Sequence, residues 1–425
     1  MMDLATVDQI KRLMEWEATR TAPPKGFPHL PDMPAGRYTS QEYYDLEQRH
    51  IWKKSWLFAA HLDEVPDPGC FMKWENAGQP VLIVHGMDGQ VRAFYNVCRH
   101  RGAPVVVEDK GRSPRLMCNY HNWTYKTDGE LVGVPEAHDF TGLDKSCRSL
   151  ISIRCEMFGK LVFVNFDESA MTLREWMGPI AQEWEEFQFD KIRLASRHCF
   201  ELKCNWKVAM EANMEVYHVP YIHPQTVAPL VDAKRNLNTI YPNGHARMIA
   251  PGPKDSNREH MRLLDSPPEW QMIETVGELG RTCTQSYTMF PNWVSPLSSF
   301  FVPPLIFWPT GLGTTRLELI TMALDWGDGP APNLWTVDDG KQMSQVILED
   351  TQFGEAIQKS MASDGFKSVP LSYQEARIYS FHQSCDKMIG LENVPPHLAV
   401  KQVIGPEWTW PNDPRIAQME AQEAA

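Results

Sequence analysis

Long apolar runs are missing from this 425-residue chain. No stretch reaches the roughly 18 apolar residues of a membrane span, and the first twenty residues lack the apolar centre of a signal peptide. Basic charge is also scarce: 41 Lys and Arg stand against 54 Asp and Glu, a formal net charge of −13. This balance argues against a nucleic-acid partner. A cytoplasmic protein without membrane or nucleic-acid contacts is expected.

A disulfide framework is absent as well. The nine cysteines are odd in number and irregular in spacing, which fits a reducing compartment. The chain has no G-x-G-x-x-G after a predicted strand and no plant-type C-x₄-C-x₂-C, so it lacks the signatures of a nicotinamide site and of a ferredoxin domain. Seven cysteines are expected to be small buried apolar residues, and Cys98 and Cys118 are the exceptions.

Two short stretches each combine one cysteine with one histidine. The pattern is C-x-H at Cys98 and His100, seventeen residues, then C-x-x-H at Cys118 and His121. Two thiolates and two imidazoles at this spacing can hold a two-iron, two-sulfur cluster, with both cysteines on one iron and both histidines on the other. A zinc site is the alternative, but structural zinc sites usually use C-x₂₋₄-C and H-x₃₋₅-H pairs. The mixed pairs favour the cluster, and Trp123 is expected to shield its sulfurs from water.

The sequence around these stretches is basic although the chain is acidic. Residues 91–126 carry seven Lys and Arg against two acidic residues, a local excess of five positive charges. Such a patch can steer an acidic electron donor toward the cluster. An ordinary solvated face is the alternative.

A second metal site is predicted near Pro220. His218 and His223 are five residues apart, and on an unbroken helix their side chains would diverge by about 140°. A helix that stops at Pro220 lets both rings meet at one metal ion. Glu211 and Glu215 precede His218 on the same predicted helical face. Two histidines and a carboxylate with open positions form the facial triad of non-haem Fe(II) oxygenases.

The carboxylate ligand is expected from a later helix, predicted over residues 341–361. Asp350 falls on the apolar face of that helix, and a buried carboxylate is costly unless it is paired or binds a metal. Glu349 and Glu355 point away from this face and are expected to be surface charges. The apolar face consists of Met343, Val346, Ile347, Phe353, Ile357 and Met361.

Strand and helix signals divide the chain into three predicted parts. Residues 1–55 form a helical segment that packs on the last part. Residues 56–167 contain short strand-like runs between Gly and Pro turns, which is typical of a small all-β module. Residues 168–425 combine strands with long helices and a loop-rich stretch over 224–280, without βαβ alternation. This pattern predicts an antiparallel α+β domain.

Together these motifs resemble the large (alpha) subunit of Rieske non-haem iron aromatic ring-hydroxylating oxygenases. The resemblance covers essentially the whole chain and rests on residues 98–101, 118–123, 205–207, 215–223 and 350–358. It implies an α+β protein with a Rieske [2Fe-2S] domain and a helix-grip catalytic domain. It also implies Cys98, His100, Cys118 and His121 as cluster ligands, and a mononuclear Fe(II) on His218, His223 and Asp350 that uses O₂.

The resemblance further implies an assembly and a route for electrons. Members of the family form head-to-tail homotrimers (α₃) or α₃β₃ assemblies, and an acidic residue passes electrons from the cluster of one subunit to the iron of the next. Glu215 matches that residue, although many ring dioxygenases have Asp there and Glu is familiar in the branch that acts on quaternary amines. The asparagine that commonly follows the first glutamate of the helix is Ala212 here, with Asn213 one place later. Glu215 and Asn213 are the predicted catalytic residues.

The implied activity is that of a terminal oxygenase (EC 1.14) fed by a separate NAD(P)H reductase, with or without a ferredoxin. Residues 282–315 contain no charge, and if part of this stretch lines the pocket, substrate is held by apolar contact rather than ion pairing. Mono- or dihydroxylation of an aromatic or other hydrophobic compound, as in aromatic hydrocarbon catabolism, is favoured. The predicted pocket residues are Met210, Met214, Phe300, Phe301 and Phe307.

Two alternatives remain. Aromatic residues can also form a cation–π cage, so oxidative N- or O-demethylation or quaternary amine oxidation is the second candidate. A Rieske electron carrier without oxygenase activity is the alternative from a different class. Such a carrier needs only about a hundred residues, so the rest of the chain with its facial triad argues against it.

Overall fold

The computed structural model describes Met2, residues 4–253 and residues 270–423. The chain forms two compact units. One, the β unit, is Trp52–Trp176, and the other, the α+β unit, combines Met1–Ile51 with Met177–Ala425. Helices together with antiparallel sheets confirm the predicted α+β class. None of the described helices is long and apolar enough to cross a membrane.

The β unit contains two antiparallel sheets and little helix. The spatial order of its seven-stranded sheet is Leu57–His61, Leu161–Asn165, Ser152–Phe158, Val91–Tyr95, Val81–His85, Cys70–Trp74 and Lys110–Arg112. The three-stranded sheet consists of Arg115–Met117, Thr124–Lys126 and Leu131–Gly133. Short 3₁₀ turns cover Leu62–Glu64, Ala137–Asp139 and Lys145–Arg148. Apolar side chains from both sheets and from both Cys/His loops form one core. The helix Leu173–Met177 spans the sequence boundary between the units.

The α+β unit is built on one seven-stranded antiparallel sheet. The spatial order is Arg193–Leu202, Thr314–Ala323, Leu305–Gly311, Trp293–Leu297, Cys283–Met289, Ala246–Pro251 and Leu237–Ile240. Two small ribbons pair Met33–Pro34 with Ser368–Val369 and Thr336–Val337 with Gln342–Met343. The α-helices are Leu4–Thr19, Gly36–Thr39, Gln41–Leu46, Pro179–Trp184, Trp206–Glu211, Val219–Ile222, Glu278–Thr282, Gln345–Thr351, Gly354–Met361, Ala376–Ile389 and Pro414–Glu423, and Glu47–Ile51 is a π-helical turn.

Strand pairing shows which side chains share a face of this sheet. Ser286 pairs with Met248 on one neighbouring strand and with Pro296 on the other. Directly paired residues of an antiparallel sheet project to the same side. We call this side the inner face. By the same pairing it also carries Ala246, Thr288, Val294, Leu305 and Phe307.

The region predicted to be loop-rich contains two strands of the sheet. Leu237–Ile240 and Ala246–Pro251 form a hairpin closed by a turn in which Asn243 and Gly244 have φ values of 60° and 80°. A Cβ atom on Gly244 would lie 2.8 Å from side-chain carbons of Phe290 and Ser384, so a larger residue does not fit there. Residues 254–269 of the predicted loop lie outside the described residues.

The single helix predicted over 341–361 is interrupted. It forms as Gln345–Thr351 and Gly354–Met361, and the apolar stripe is only partly covered: Ile347 is buried, whereas Phe353 is 48% exposed. A Cβ atom on Gly354 would lie 2.9 Å from Cys204 Sγ, so the second helix begins where glycine allows a close approach. The break therefore changes which residues face inward.

A buried ion pair ties the N-terminal segment to the helix Trp206–Glu211. Lys207 Nζ lies 2.6 Å from Glu47 Oε1, and both side chains are fully buried. The Trp206 indole donates to the other oxygen of Glu47 at 3.2 Å. Burial raises the pKa of Glu47, and the neighbouring Lys207 opposes that rise.

Lys207→Met is expected to destabilise the protein by about 3–5 kcal/mol, because it leaves the Glu47 carboxylate buried without an opposite charge. Denaturant unfolding followed by circular dichroism measures the loss. The double change Lys207→Met with Glu47→Gln removes both charges and should recover more than half of it. Equal losses in the single and double variants would contradict charge burial as the cause.

Candidate metal centres

The two Cys/His loops of the β unit have the same backbone conformation. The Cys98 carbonyl accepts from Gly102 N–H at 3.1 Å, and the Cys118 carbonyl accepts from Asn122 N–H at 2.8 Å. Each cysteine N–H donates to the carbonyl of the residue five places later, at 2.8 and 3.0 Å. Gly102 and Asn122 have positive φ values of 80° and 56°, a conformation that Gly and Asn adopt most readily. The two loops are therefore equivalent in their local structure.

The loops bring like side chains together. The Nδ1 atoms of His100 and His121 lie 3.0 Å apart, and the thiols of Cys98 and Cys118 belong to the same buried core cluster. Both cysteines are buried, whereas both histidine rings are partly exposed. Burial raises the pKa of the Cys118 thiol, and Cys98 raises it further. One pair of sulfur donors and one pair of imidazole nitrogens fit a [2Fe-2S] cluster with mixed ligands.

Two aromatic residues contact these donors. Trp123 stacks on the His100 ring, with centroids 4.8 Å apart and planes 9° apart, and it belongs to the same buried core cluster as Cys98 and Cys118. The Tyr125 hydroxyl lies 3.3 Å from Cys98 Sγ and accepts from Arg99 N–H at 3.0 Å. No sequence motif indicated Tyr125. Hydrogen bonds to cysteine sulfur influence the reduction potential of iron–sulfur centres.

In the α+β unit, His218, His223 and Asp350 meet. One ligand atom of each lies within 4.8 Å of the others. Asp350 Oδ1 is 2.7 Å from His223 Nε2 and 3.4 Å from His218 Nε2, so both rings present Nε2 to the same carboxylate. His223 is almost fully buried, and 20% of the His218 side chain is exposed. This donor set fits a facial triad that binds one iron and leaves coordination positions open.

The backbone between the histidines differs from the predicted helix. The preceding helical segment ends before Glu215, whose backbone is extended (φ −144°, ψ 172°). His218 then precedes the helix Val219–Ile222 and His223 follows it. Pro220 lies in the first turn of this helix, where its missing N–H costs nothing, so the prediction that it stops a helix was wrong.

Glu211 does not share a face with Glu215 and His218 because the helix ends between them. Its carboxyl group lies 2.8 Å from the Tyr38 hydroxyl and 2.7 Å from His382 Nε2. Burial raises the pKa of Glu211 to about 8, so the group is mostly protonated at neutral pH. Glu211 therefore belongs to a buried hydrogen-bond network of the core.

Each histidine of the triad has a second carboxylate on its other ring nitrogen. Glu215 contacts His218 Nδ1 and also accepts from the His218 N–H at 3.1 Å. Glu349 Oε2 lies 2.7 Å from His223 Nδ1 and accepts from the Thr226 hydroxyl at 2.6 Å. The side chain of Glu349 is 14% exposed, so the prediction of an ordinary surface charge was wrong.

These carboxylates determine the charge of the site. Burial lowers the pKa of His218, but hydrogen bonds to Asp350 and Glu215 outweigh it and raise the pKa to about 9. Burial raises the pKa of Asp350, but both histidines hold it below its usual value. The histidine protons thus place positive charge beside the Asp350 carboxylate. A metal cation can replace these protons.

Glu349→Ala is expected to weaken binding of the mononuclear metal about 10- to 100-fold, because His223 loses the acceptor that orients its ring. Competition with a chelator measures the affinity. Glu355→Ala is the matched control, since Glu355 is 53% exposed and lies 3.5 Å from Lys203 at the surface. Equal affinities in the two variants would remove any role for Glu349 at the metal.

The other predicted site residues lie in different surroundings. Asn213 donates to the Ala209 carbonyl at 3.3 Å, so its side chain bonds to its own helix. The predicted pocket residues divide: Phe300 and Phe301 belong to a separate apolar cluster with Trp326. The other three, Met210, Met214 and Phe307, are fully buried outside that cluster, and Phe307 lies on the inner face.

The chain matches two domain families in sequence order. Residues 55–148 match the Rieske [2Fe-2S] domain, and residues 189–391 match the catalytic domain of the ring hydroxylating alpha subunit. The glycine betaine monooxygenase oxygenase subunit of Pseudomonas aeruginosa (strain UCBPP-PA14) is 31% identical over 206 residues, 48% of this chain and 47% of that protein. The benzene 1,2-dioxygenase subunit alpha of Pseudomonas putida is 33% identical over 199 residues, 44% of each. The chain thus matches about half the length of these relatives.

Solved structures share the fold over most of the chain. The quaternary ammonium Rieske monooxygenase CntA in complex with an inhibitor has a TM-score of 0.68 at 23% identity, covering 85% of this chain and 96% of that one. Naphthalene 1,2-dioxygenase from Rhodococcus sp. bound to indole has a TM-score of 0.68 at 19% identity, covering 92% and 99%. The two matched domains bind a Rieske [2Fe-2S] cluster and a mononuclear iron. The chain belongs to the alpha subunits of Rieske ring-hydroxylating oxygenases.

Proposed function

We propose that the chain is the terminal oxygenase component of a Rieske system, which adds oxygen from O₂ to a small organic substrate. The observation that carries the proposal is the meeting of His218, His223 and Asp350 in a largely buried site. An electron carrier requires only the four cluster ligands, so the triad would have no function in an electron carrier. In the proposal Cys98, His100, Cys118 and His121 hold the cluster.

The residues around the triad have separate tasks in this mechanism. When bound, the mononuclear iron supplies the site of O₂ activation, and the cluster supplies single electrons. Glu215 and Glu349 hold the outer nitrogens of the two histidines, which keeps both Nε2 atoms directed at the metal position. Val216, Val219 and Met248 pack together beside His218 and provide an apolar wall for a substrate that lies next to the metal.

Electron delivery is part of the same proposal. Glu215 is the acidic residue that links His218 to a cluster histidine of a neighbouring subunit in a homotrimer. A separate NAD(P)H reductase, directly or through a ferredoxin, reduces the cluster. The exposed edges of both cluster histidines support access from outside the β unit.

Two substrate classes are candidates. Hydroxylation of an aromatic or other hydrophobic compound is supported by the apolar inner face and by the similarity to benzene 1,2-dioxygenase. Oxidation or demethylation of a methylated amine is supported by glutamate rather than aspartate at position 215 and by the similarity to glycine betaine monooxygenase.

Metal analysis and single turnover test the function without the unidentified donor. An oxygenase is expected to contain about three irons per chain, whereas an electron carrier contains about two. Chemically reduced protein is then exposed to O₂ with benzene, benzoate or glycine betaine, and hydroxylated or demethylated product is measured. About two irons per chain, or zinc in place of iron, would contradict the proposal.

Charge reversal in the basic segment, residues 91–126, is expected to slow reduction of the cluster by an acidic donor. Arg112→Glu with Arg115→Glu should lower the bimolecular rate about tenfold at low salt and much less at about 0.5 M salt, because the attraction is screened. Reduction by an acidic plant-type ferredoxin, followed by stopped-flow absorbance, measures the rate. Arg148→Glu is the control in the same unit outside this segment. Equal rates in both variants would refute donor steering.

A further inference from the structure

Arg377 is a fully buried cation at the second position of the helix Ala376–Ile389. Its Nη2 atom donates to the Thr288 hydroxyl at 2.6 Å and to the Ser286 carbonyl at 3.3 Å. Its Nε and Nη1 atoms are buried and have no hydrogen-bond partner among the described residues. A guanidinium in this position has strong donors that are directed at no acceptor of the described protein.

The other buried arginines of the described chain are paired. Each has a carboxylate oxygen within 3.1 Å: Arg37 with Asp386, Arg235 with Asp232, Arg247 with Glu183, and Arg415 with Asp413 and Glu17. Arg377 has no such partner in the described ranges, and burial lowers its pKa to about 9 while the attraction of Glu215 opposes that fall. A buried charge without a partner is costly, so Arg377 differs from a structural arginine.

The position of Arg377 relative to the metal site follows from the sheet. Ser286 and Thr288 project from the inner face, where their directly paired neighbours are apolar: Met248, Pro296, Ala246 and Val294. Met248 packs against Val216 and Val219, which flank His218 in sequence. Arg377 thus places a cation among the apolar residues that pair with Ser286 and Thr288, one strand away from Met248, which packs against the residues flanking His218.

We propose that Arg377 is the substrate-binding residue for an anionic group, a carboxylate or a sulfonate, of the compound oxidised at the triad. The unpaired Nε and Nη1 donors and the apolar surroundings have the form of a ligand site, in which few polar groups orient a largely apolar molecule. This inference rests on the proposed function and names its substrate class. It replaces the expectation that substrate is held by apolar contact alone.

Matched probes that differ in charge test the proposal without turnover. Benzoate is compared with benzamide, and glycine betaine with choline, by calorimetry on anaerobic holoprotein with an oxidised cluster. The carboxylate-bearing member of at least one pair, benzoate or the zwitterion glycine betaine, is expected to bind about 10- to 100-fold more tightly than its counterpart without a carboxylate. No preference for the anion in either pair would overturn the proposal.

Variants of Arg377 locate the preference. Arg377→Met should abolish it without a large loss of thermal stability, because an apolar side chain of similar length replaces an unpaired buried charge. Arg377→Lys should retain a reduced preference, since lysine keeps the charge and loses the planar fork. Thr288→Val removes the hydroxyl that holds Arg377 Nη2 and should weaken anion binding. This second test changes no charge.

A control variant and a rate measurement distinguish a substrate-binding arginine from two other roles. In one, Arg377 acts only through Glu215; in the other, it contributes only to the overall charge of the protein. Arg316→Met removes an arginine that pairs with Glu201 and is 40% exposed, and it should leave the anion preference unchanged. If Arg377 only supports the charge of Glu215, its variants will bind the anions normally and oxidise the reduced cluster more slowly, which would overturn the substrate role. Since binding is measured without O₂, the result is independent of whether the oxygenase activity itself is found.

Discussion

Replacement of His223 by alanine is expected to lower product formation in a single turnover at least about 1,000-fold, because several kcal/mol of metal-dependent stabilisation are lost. His223 is almost fully buried, and its Nε2 lies 2.7 Å from Asp350, so the substitution removes one of the three proposed donors of the metal. The iron content should fall from about three to about two per chain. The visible spectrum of the cluster should stay unchanged, because the four proposed cluster ligands lie in the other unit.

The reciprocal variant is the control for this result. Cys98→Ser should remove the cluster spectrum and leave about one iron per chain, since the serine oxygen is a poor ligand for a cluster of this type. Product formation is lost in both variants for different reasons, and only the metal content separates them. Normal product yield from His223→Ala would refute His223 as an iron ligand.

Glu215→Gln is expected to leave both metal sites occupied and to slow oxidation of the reduced cluster at least about 100-fold. The carboxylate accepts from the His218 N–H and contacts His218 Nδ1, whereas an amide can offer only one acceptor to these two groups. The proposed link to a neighbouring cluster would also lose its charge. Stopped-flow absorbance of the cluster after mixing with O₂ and substrate measures the rate.

Glu211→Gln is the matched control four residues away. Burial raises the pKa of Glu211 to about 8, so at neutral pH this substitution replaces one mostly neutral group with another. Its partners are Tyr38 and His382, not the triad, and a rate close to wild type is expected. If both glutamine variants slowed cluster oxidation equally, the effect would reflect disturbance of the helix and not a role of Glu215.

The local parts of both metal centres could be predicted from the sequence. The four predicted cluster ligands lie in two turns of the same geometry, and each turn is complete within six residues, so the spacing of Cys and His is enough to predict it. His218 and His223 are likewise joined by one short helix, although Pro220 begins that helix instead of ending another. Backbone geometry over a few residues is largely a property of those residues, which is why spacing predicts it.

Contacts across long stretches of chain were decided by the tertiary structure. Asp350 could be selected from the apolar face of a helix, but Glu349, its neighbour, points away from that face, and nothing in the sequence shows that His223 lies on that side. The structure interrupts that helix and places Glu349 against His223, 126 residues earlier. Arg377 likewise had no signal, because a helical arginine is normally exposed. Only the packing of its helix on the inner face removes water from the guanidinium and leaves its Nε and Nη1 donors without a partner in the described chain.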